Sequence, residues 1–238
     1  MKKFVALGAP SPQLKESLID RGYSIIDLPR FSLLSAPVSV HPDMLFSCIG
    51  DKIITSKDYY TTAHAQLDFI ADRSNASVIT DPHSDYSCYP HEARFNVLCL
   101  GIYVLGNKRA ASPIILDECK NQAKTFIHVN QGYARCSTAI CGKGIITSDP
   151  TIFEACSRLD IPSLKISAGG IELPGYEYGF IGGASGYCEE ANTLYFNGDI
   201  TKHTDHNAIL SFADTCAVNI VSLGDWRLFD CGGMFFFR

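Results

Sequence analysis

HVNQGYARCSTAICGKGIITSD, residues 128–149, has a polar front half and a plain apolar back half. The run Gly144–Thr147 reads as a short buried strand. Asp149-Pro150 then opens a helix, with Asp149 suited to the N-cap and Pro150 to the first helical position. Ile152, Phe153, Ala155, Cys156 and Leu159 fall at helical spacing over 151–159. Asp160-Ile161-Pro162 ends that helix, and Ser163–Ile166 reads as a further strand. The front half, with Cys136, supplies a strand before Gly144. The unit is therefore strand, strand, helix, strand, and the chemically capable residues sit at its front edge.

The same unit recurs on both sides. Phe4–Ala9 reads as a strand, 12–21 as a helix stopped at Gly22, and Tyr23–Leu28 as a strand. Met44–Cys48 and Lys52–Thr55 form a pair about Gly50-Asp51, followed by a helix over 61–73 and a strand at 77–80. Asn96–Leu100 and Ile102–Leu105 form another pair, with a helix near 115–124 and a strand at 125–129. Last come strands at Gly179–Ile181 and Thr193–Asn197, a helix over 205–216, a strand at 218–223 and a final strand within 227–237. DKIITSKD (51–58), KGIITSDP (143–150) and TLYFNGDI (193–200) are local echoes of one another. A repeat of tens of residues points to a repeat array.

The first unit lacks its leading strand, and the chain has an orphan strand at its other end. Pairing the two completes the unit and removes exposed sheet edges. The expectation is a single α/β domain over 1–238, a five-bladed ββαβ propeller closed by its terminal strands. The alternative is an ordinary three-layer α/β domain.

Composition fits such a core. The chain has 238 residues, 46% hydrophobic, and a net charge of −5 without a basic block, which argues against a nucleic-acid footprint. Pro10 and Pro12 cut the first apolar run well below the length of a signal peptide or membrane span. The ten cysteines form no CxxC pair and sit mostly in apolar runs. They read as small buried residues of a reducing cytoplasm rather than a disulfide frame.

Five ββαβ units closed by terminal strands resemble the pentein fold. That fold holds arginine and agmatine deiminases, dimethylarginine hydrolase, amidinotransferases and a ribosome-binding initiation factor. The segments carrying the likeness are HPDMLFSCIGDKII (41–54), HVNQGYARCSTAI (128–140), GYEYGFIGGASG (175–186), FNGDITKHTD (196–205) and FDCGGMFF (229–236). The whole chain also resembles a group of small single-domain bacterial proteins of that fold without an assigned activity.

In the enzymes a histidine lies in an H-x-D segment leading into an apolar strand, and His41-Pro42-Asp43 has that form. The nucleophilic cysteine lies in a strand before Ser or Thr, and Cys136-Ser137-Thr138 is similar. An acidic residue beside paired glycines is echoed by Asp230-Cys231-Gly232-Gly233. The enzymes usually run in the order acidic motif, histidine, cysteine, and on a closed ring circular permutation preserves that order here. The chain departs from the pattern in its closing strand, Met234–Phe237, which has no thiol after the glycines. If that strand is the true equivalent, the nucleophile is absent.

The resemblance implies a cysteine-dependent hydrolase or amidinotransferase acting on a small guanidine or amidine compound. Cys136 is the nucleophile, His41 the general acid and base, and Asp43 its partner or a grip on guanidinium. A bound guanidinium and a protonated His41 would both lower the thiol's pKa. Asp230, His128, Asn130, Gln131, Asn197 and Asp199 are candidate ligand contacts. The ligand is a small molecule in the central channel, without cofactor, metal or membrane.

Each residue also has a structural reading. Cys136 serves as a buried small hydrophobe, His41 and Asp43 as turn residues, and His128, Asn130 and Gln131 as partners for exposed backbone. Tyr133 serves as packing, Asn197–Asp199 as a turn, and Gly182, Gly183 and Gly186 as points of close backbone approach. His203, Asp205 and His206 have metal-binding chemistry, but Asp205 reads first as a helix N-cap. The competing function is a non-catalytic binding module for a small ligand or a macromolecule. The loop at 81–92, DPHSDYSCYPHE, is a candidate lid or interface.

Overall fold

Three strand pairs turn on the same device. Gly50, Gly101 and Gly142 have φ of +57°, +57° and +64°, and each begins a two-residue connection between antiparallel strands. Glycine enters that region without steric cost, so a right-twisted hairpin closes tightly. The computed structural model describes residues 3–83, 85–86 and 88–237.

Each sheet has three strands. In unit two, β3 (Phe46–Ile49) runs antiparallel to β4 (Lys52–Ser56), helix α3 (Lys57–Arg73) follows, and β5 (Ser77–Asp81) lies parallel to β4. A one-turn helix, α2 (Pro42–Leu45), precedes β3. Unit three has β6 (Leu98–Leu100), β7 (Tyr103–Gly106), α4 (Pro113–Asn121) and β8 (Thr125–His128) in the same pattern. Unit four has β9 (Thr138–Cys141), β10 (Gly144–Thr147), α5 (Pro150–Arg158) and β11 (Ser163–Lys165). Unit five has β12 (Ser185–Cys188), β13 (Thr193–Phe196), α6 (His206–Thr215) and β14 (Asn219–Ser222).

Unit one draws on both ends of the chain. β1 (Lys3–Gly8) is parallel to β2 (Tyr23–Leu28) across α1 (Pro12–Ile19), and antiparallel to β15 (Phe235–Phe237), with Phe4 opposite Phe237 and Ala6 opposite Phe235. The orphan strand completes the unit that lacked a leader. The five sheets fit a fivefold arrangement, and no one sheet closes on itself.

Helix starts follow local chemistry. Ser11, Ser56 and Ser112 accept from Leu14 N, Tyr59 N and Ile114 N at 3.1, 2.9 and 3.2 Å, and Asp149 accepts from Thr151 N and Ile152 N at 2.8 and 2.9 Å. Such caps satisfy amides that the first helical turn leaves unpaired. The echoes in the sequence are in part this cap repeat. In unit five, Asp199 instead caps a one-turn 3-10 helix, Ile200–Lys202.

The central strands are buried along nearly their whole length, which is why they read as unbroken apolar runs. The core crosses from unit to unit. Leu98 and Leu105 of unit three share one cluster with Ile145, Ile152 and Cys156 of unit four. Val5, Leu14 and Leu18 of unit one share another with Tyr195 and Leu223 of unit five. The buried cysteines, Cys136 among them, are free thiols, and no described helix is long and apolar enough to cross a membrane.

Three elements differ from the sequence reading. Unit five leads with Ser185–Cys188, not Gly179–Ile181, because Gly182 and Gly183 lie so close to neighbouring backbone and to Asp230 that they form a turn. The last strand is confined to Phe235–Phe237, since Gly232 and Gly233, at φ +77° and +83°, bend the chain before it. Cys136 lies in the turn before β9, not in a strand.

Candidate active site

Hydrogen bonds tie the lead-in to each unit's first strand to the next. Asn96 of unit three donates to the Asp43 carbonyl of unit two at 3.0 Å and accepts from Arg135 N and Cys136 N of unit four at 2.8 and 3.1 Å. Gly183 N of unit five donates to the Cys136 carbonyl at 3.0 Å, and the Gly183 carbonyl accepts from Cys231 N and Gly233 N of unit one at 3.0 and 2.8 Å. Asp43 N returns to the Gly232 carbonyl at 3.2 Å. The bonds thus run through all five units and come back to the second. Irregular backbone is buried here, and this circuit satisfies it.

Cys136, Asp43, His41 and Asp230 gather beside this circuit, with Asn96 part of it. The Cys136 thiol donates to Asp43 Oδ2 at 2.7 Å and accepts from Asn96 Nδ2 at 3.0 Å. The Oδ1 of Asp43 has no hydrogen-bond partner among the described residues, although Asp43 is only 1% exposed. His41 Nδ1 stands 3.7 Å from Asp230 Oδ1. Asp230 is held by Phe180 N at 2.8 Å and Gly232 N at 2.9 Å.

Burial sets the charge states. It pushes the Cys136 thiol well up, and the carboxylates of Asp43 and Asp230 push the same way. It raises Asp43 well above the usual carboxylate value, with Asp230 adding to the effect. Asp230 is also raised by burial, against the pull of His41 and its two amide donors. Burial lowers His41, opposed by Asp230. Both shifts favour the uncharged forms, a thiol at Cys136 and a neutral imidazole at His41.

Cys136, His41 and Asp230 line one cavity of about 260 Å³, roofed by Tyr133 and Phe180. A second cavity of about 670 Å³ adjoins it and shares His41, Leu173 and Asp230. The first lies just below the range of about 300–1,000 Å³ usual for ligand sites, which suits a small molecule.

The other expected contacts are placed elsewhere. His128 is exposed, and its Nδ1 accepts from Lys108 N at 3.2 Å. Asn130 is exposed, and its carbonyl accepts from Asn107. Gln131 shapes the loop before Cys136, accepting from Tyr133 N and donating to Asp149. Asp199 bonds Thr201 N and Oγ1 at 2.9 and 2.7 Å as a cap. Asn197 is buried on the wall of the second cavity, donating to the Phe229 carbonyl and accepting from Trp226 Nε1. Asp205 stands at the N-cap of α6, but its carboxylate accepts from Ser167 N at 2.6 Å, and His203 Nδ1 accepts from Asp205 N.

Asn96 was missed because it heads an apolar run that reads as strand. Its signal was position: it stands two residues before the first strand of its unit, as Cys136 does. In the 81–92 loop, Ser84 and Ser87 lie outside the described residues. Asp81 joins Ser112 Oγ at 2.5 Å and Arg94 at 3.2 Å, and Glu92 lines the first cavity.

A family model matches residues 8–235. The chain belongs to that family, the family of unknown function DUF6873. No curated protein matches it in sequence. Among solved structures, this DUF6873 chain is similar to a dimethylarginine dimethylaminohydrolase adduct with 4-chloro-2-hydroxymethylpyridine, at TM-score 0.56 and 9% identity, covering 93% of this chain and 92% of the other. It is similar to the Pseudomonas aeruginosa enzyme of that name in a complex with citrulline, at TM-score 0.53 and 8% identity over 93% and 92%. It is also similar to the product-bound N-terminal domain of ArgZ, a cyanobacterial arginine dihydrolase, at TM-score 0.52 and 9% identity over 98% and 95%. At these identities the likeness establishes a shared fold, the pentein fold.

Proposed function

We propose that this chain is a cysteine-dependent hydrolase or amidinotransferase acting on a small guanidine or amidine. One observation carries the reading. A buried thiol, a buried neutral imidazole and a buried carboxylate share one small cavity, and a second carboxylate bonds the thiol. Burying an unpaired carboxylate is costly unless something compensates it. Oδ1 of Asp43 and the paired acids Asp43 and Asp230 invite a cation, and guanidinium offers a planar set of donors that carboxylates accept two at a time. The family resemblance and the shared fold agree with this. We also infer that the β1–β15 pair and the circuit of hydrogen bonds close the five units into a ring.

The cation would complete the chemistry. Its charge offsets the two carboxylates that hold the thiol protonated, so the thiol proton passes to His41 as substrate binds. The sulfur then bonds to the guanidinium carbon. Protonated His41 gives its proton to the leaving amine as the carbon–nitrogen bond breaks. Neutral again, His41 takes a proton from water, whose oxygen bonds to the same carbon. The carbon–sulfur bond breaks to release a urea and the thiol. An amine in place of that water gives amidine transfer. Asn96 steadies the sulfur through its Nδ2 donor.

The test compares two alkylating agents by peptide mapping: an amidinium-bearing haloacetamidine and neutral iodoacetamide. Cys136 is expected to label with the amidinium reagent at least about tenfold faster than any of the other nine cysteines, and His41→Ala is expected to slow it by about 10²-fold. If Cys136 reacts no faster than the rest, the nucleophile assignment fails and the chain is better read as a binding module.

A further inference from the structure

The rim of the Cys136 cavity differs in character from its floor. Tyr176 and Tyr178 are 49% and 37% exposed, large aromatic surfaces left in water beside the opening. The ring of Tyr133 stands 6.3 Å from that of Phe180, and Tyr178 packs edge-on to Phe180 at 6.5 Å. Two carboxylates share this rim: Glu92, which accepts the Tyr133 hydroxyl, and Glu177. Among the described residues, the cavity lining contains no lysine or arginine.

The nearest cations lie outside that lining. Arg30 borders the adjoining cavity, where Ser39 Oγ at 2.6 Å and the Ala36 carbonyl at 3.3 Å take its guanidinium and where Glu172 and Asp225 also stand. Arg227 lies in an outer depression with Glu172 and Glu177. Arg135, also outside the lining, stacks over Phe235 at 5.2 Å and donates to the Thr138 carbonyl, and its charge acts on Asp43 against the effect of burial.

We propose that the site selects guanidines or amidines whose far end carries a second positive charge, with Glu92 and Glu177 receiving that charge among the rim aromatics. This rests on the guanidine reading of the floor and adds the other end of the substrate. Aromatic faces attract alkylammonium groups, and a carboxylate beside them adds direct Coulomb attraction. A tail carboxylate, as in an amino acid, would meet Glu92, Glu177 and Asp230 with no cation in the lining to offset them. The rim therefore disfavours an anionic tail as well as favouring a cationic one.

Three probes with similar chains separate the ends: butylguanidine, 4-aminobutylguanidine and L-arginine. Binding to the whole chain is measured by calorimetry, with Cys136→Ala in parallel to prevent turnover. 4-Aminobutylguanidine is expected to bind at least tenfold tighter than either of the others, with the gap over butylguanidine narrowing as salt is raised. Glu92→Gln and Glu177→Gln, both at the cavity mouth, are each expected to weaken 4-aminobutylguanidine several-fold and leave butylguanidine unchanged. Glutamine still accepts the Tyr133 hydroxyl, so Glu92→Gln keeps that contact. If butylguanidine matches 4-aminobutylguanidine, or L-arginine binds tightest, the charged-tail proposal is overturned and the guanidine reading stands. If none of the three binds, the guanidine reading fails and this proposal falls with it.

Discussion

Units four and five lead into their first strands by similar turns and place opposite things at the same point of each. Two residues before its first strand, unit four carries Cys136, and unit five carries Gly183. The two are bonded, Gly183 N to the Cys136 carbonyl. A Cβ on Gly183 would lie 2.0 Å from Asp230 Oδ1, and one on Gly182 would lie 2.3 Å from the carbonyls of Arg135 and Thr138. The missing side chains of unit five thus leave room for the Asp230 carboxylate from unit one and for the turn that presents the thiol. In a repeat protein the same position can serve chemistry by what it carries in one unit and by what it omits in the next.

The largest expected effect is on the carrying side. Cys136→Ser should abolish labelling by the amidinium reagent and lower any guanidine turnover by more than about 10³-fold, while the thermal midpoint stays near that of the parent. Turnover within tenfold of the parent would remove unit four's special status.

On the omitting side, Gly183→Ala forces a methyl group against Asp230. Overpacking of this kind costs about 1–3 kcal/mol. Denaturant unfolding should show that loss, and Cys136 labelling should slow because Asp230 is displaced. Parent-like stability and labelling in this variant would break the comparison.

Asp43→Asn sharpens the electrostatic side. Burial raises Asp43 above its ordinary value of 3.8. A raised carboxyl contributes stability that is present below the unfolded-state pKa and is lost as pH rises toward the folded-state value. Asparagine cannot ionise, so the variant should gain on the parent between about pH 4 and neutrality, while catalytic labelling falls. Unfolding curves at pH 4 and pH 7 that differ equally in both proteins would refute the burial argument.

The smallest effects concern caps at comparable places in the two units. Asp149→Ala removes the cap of the nine-residue α5 and a partner of Gln131, and should cost about 1 kcal/mol. Asp199→Ala affects a three-residue 3-10 turn and should cost less, with labelling of Cys136 unchanged.

The outer part of the fold was legible because it obeys local rules. Ser or Asp caps, glycine turns and apolar second strands repeat from unit to unit, so the ββαβ order could be read from short windows. The middle was harder to read because its rules are not local. Cys136 looks like a strand residue until Asn96, forty positions earlier, takes its backbone amide. Gly183 makes sense only against Asp230, nearly fifty positions later, and Gly182 only against the carbonyls of Arg135 and Thr138, more than forty positions earlier. His41 and Asp43 stood out as two polar residues before an apolar run, and both are buried. His128 and Asn130 gave the same kind of signal but end on the surface, because β8 lies at the edge of its sheet. Polarity at a strand end does not say which way the strand end points.

The pairing of β1 with β15 also has a consequence in time. During synthesis β1 emerges early, while the partner of its open edge, residues 235–237, is made more than two hundred residues later. At about 5–20 residues per second, that edge waits on the order of ten to fifty seconds. Unit one is thus begun before the other four and finished after them, and β1 carries an unpaired edge throughout their synthesis. Slowing elongation between β1 and β15 should raise the yield of aggregated product more than slowing it before β1 is made, since only the former prolongs the exposure of a strand already made.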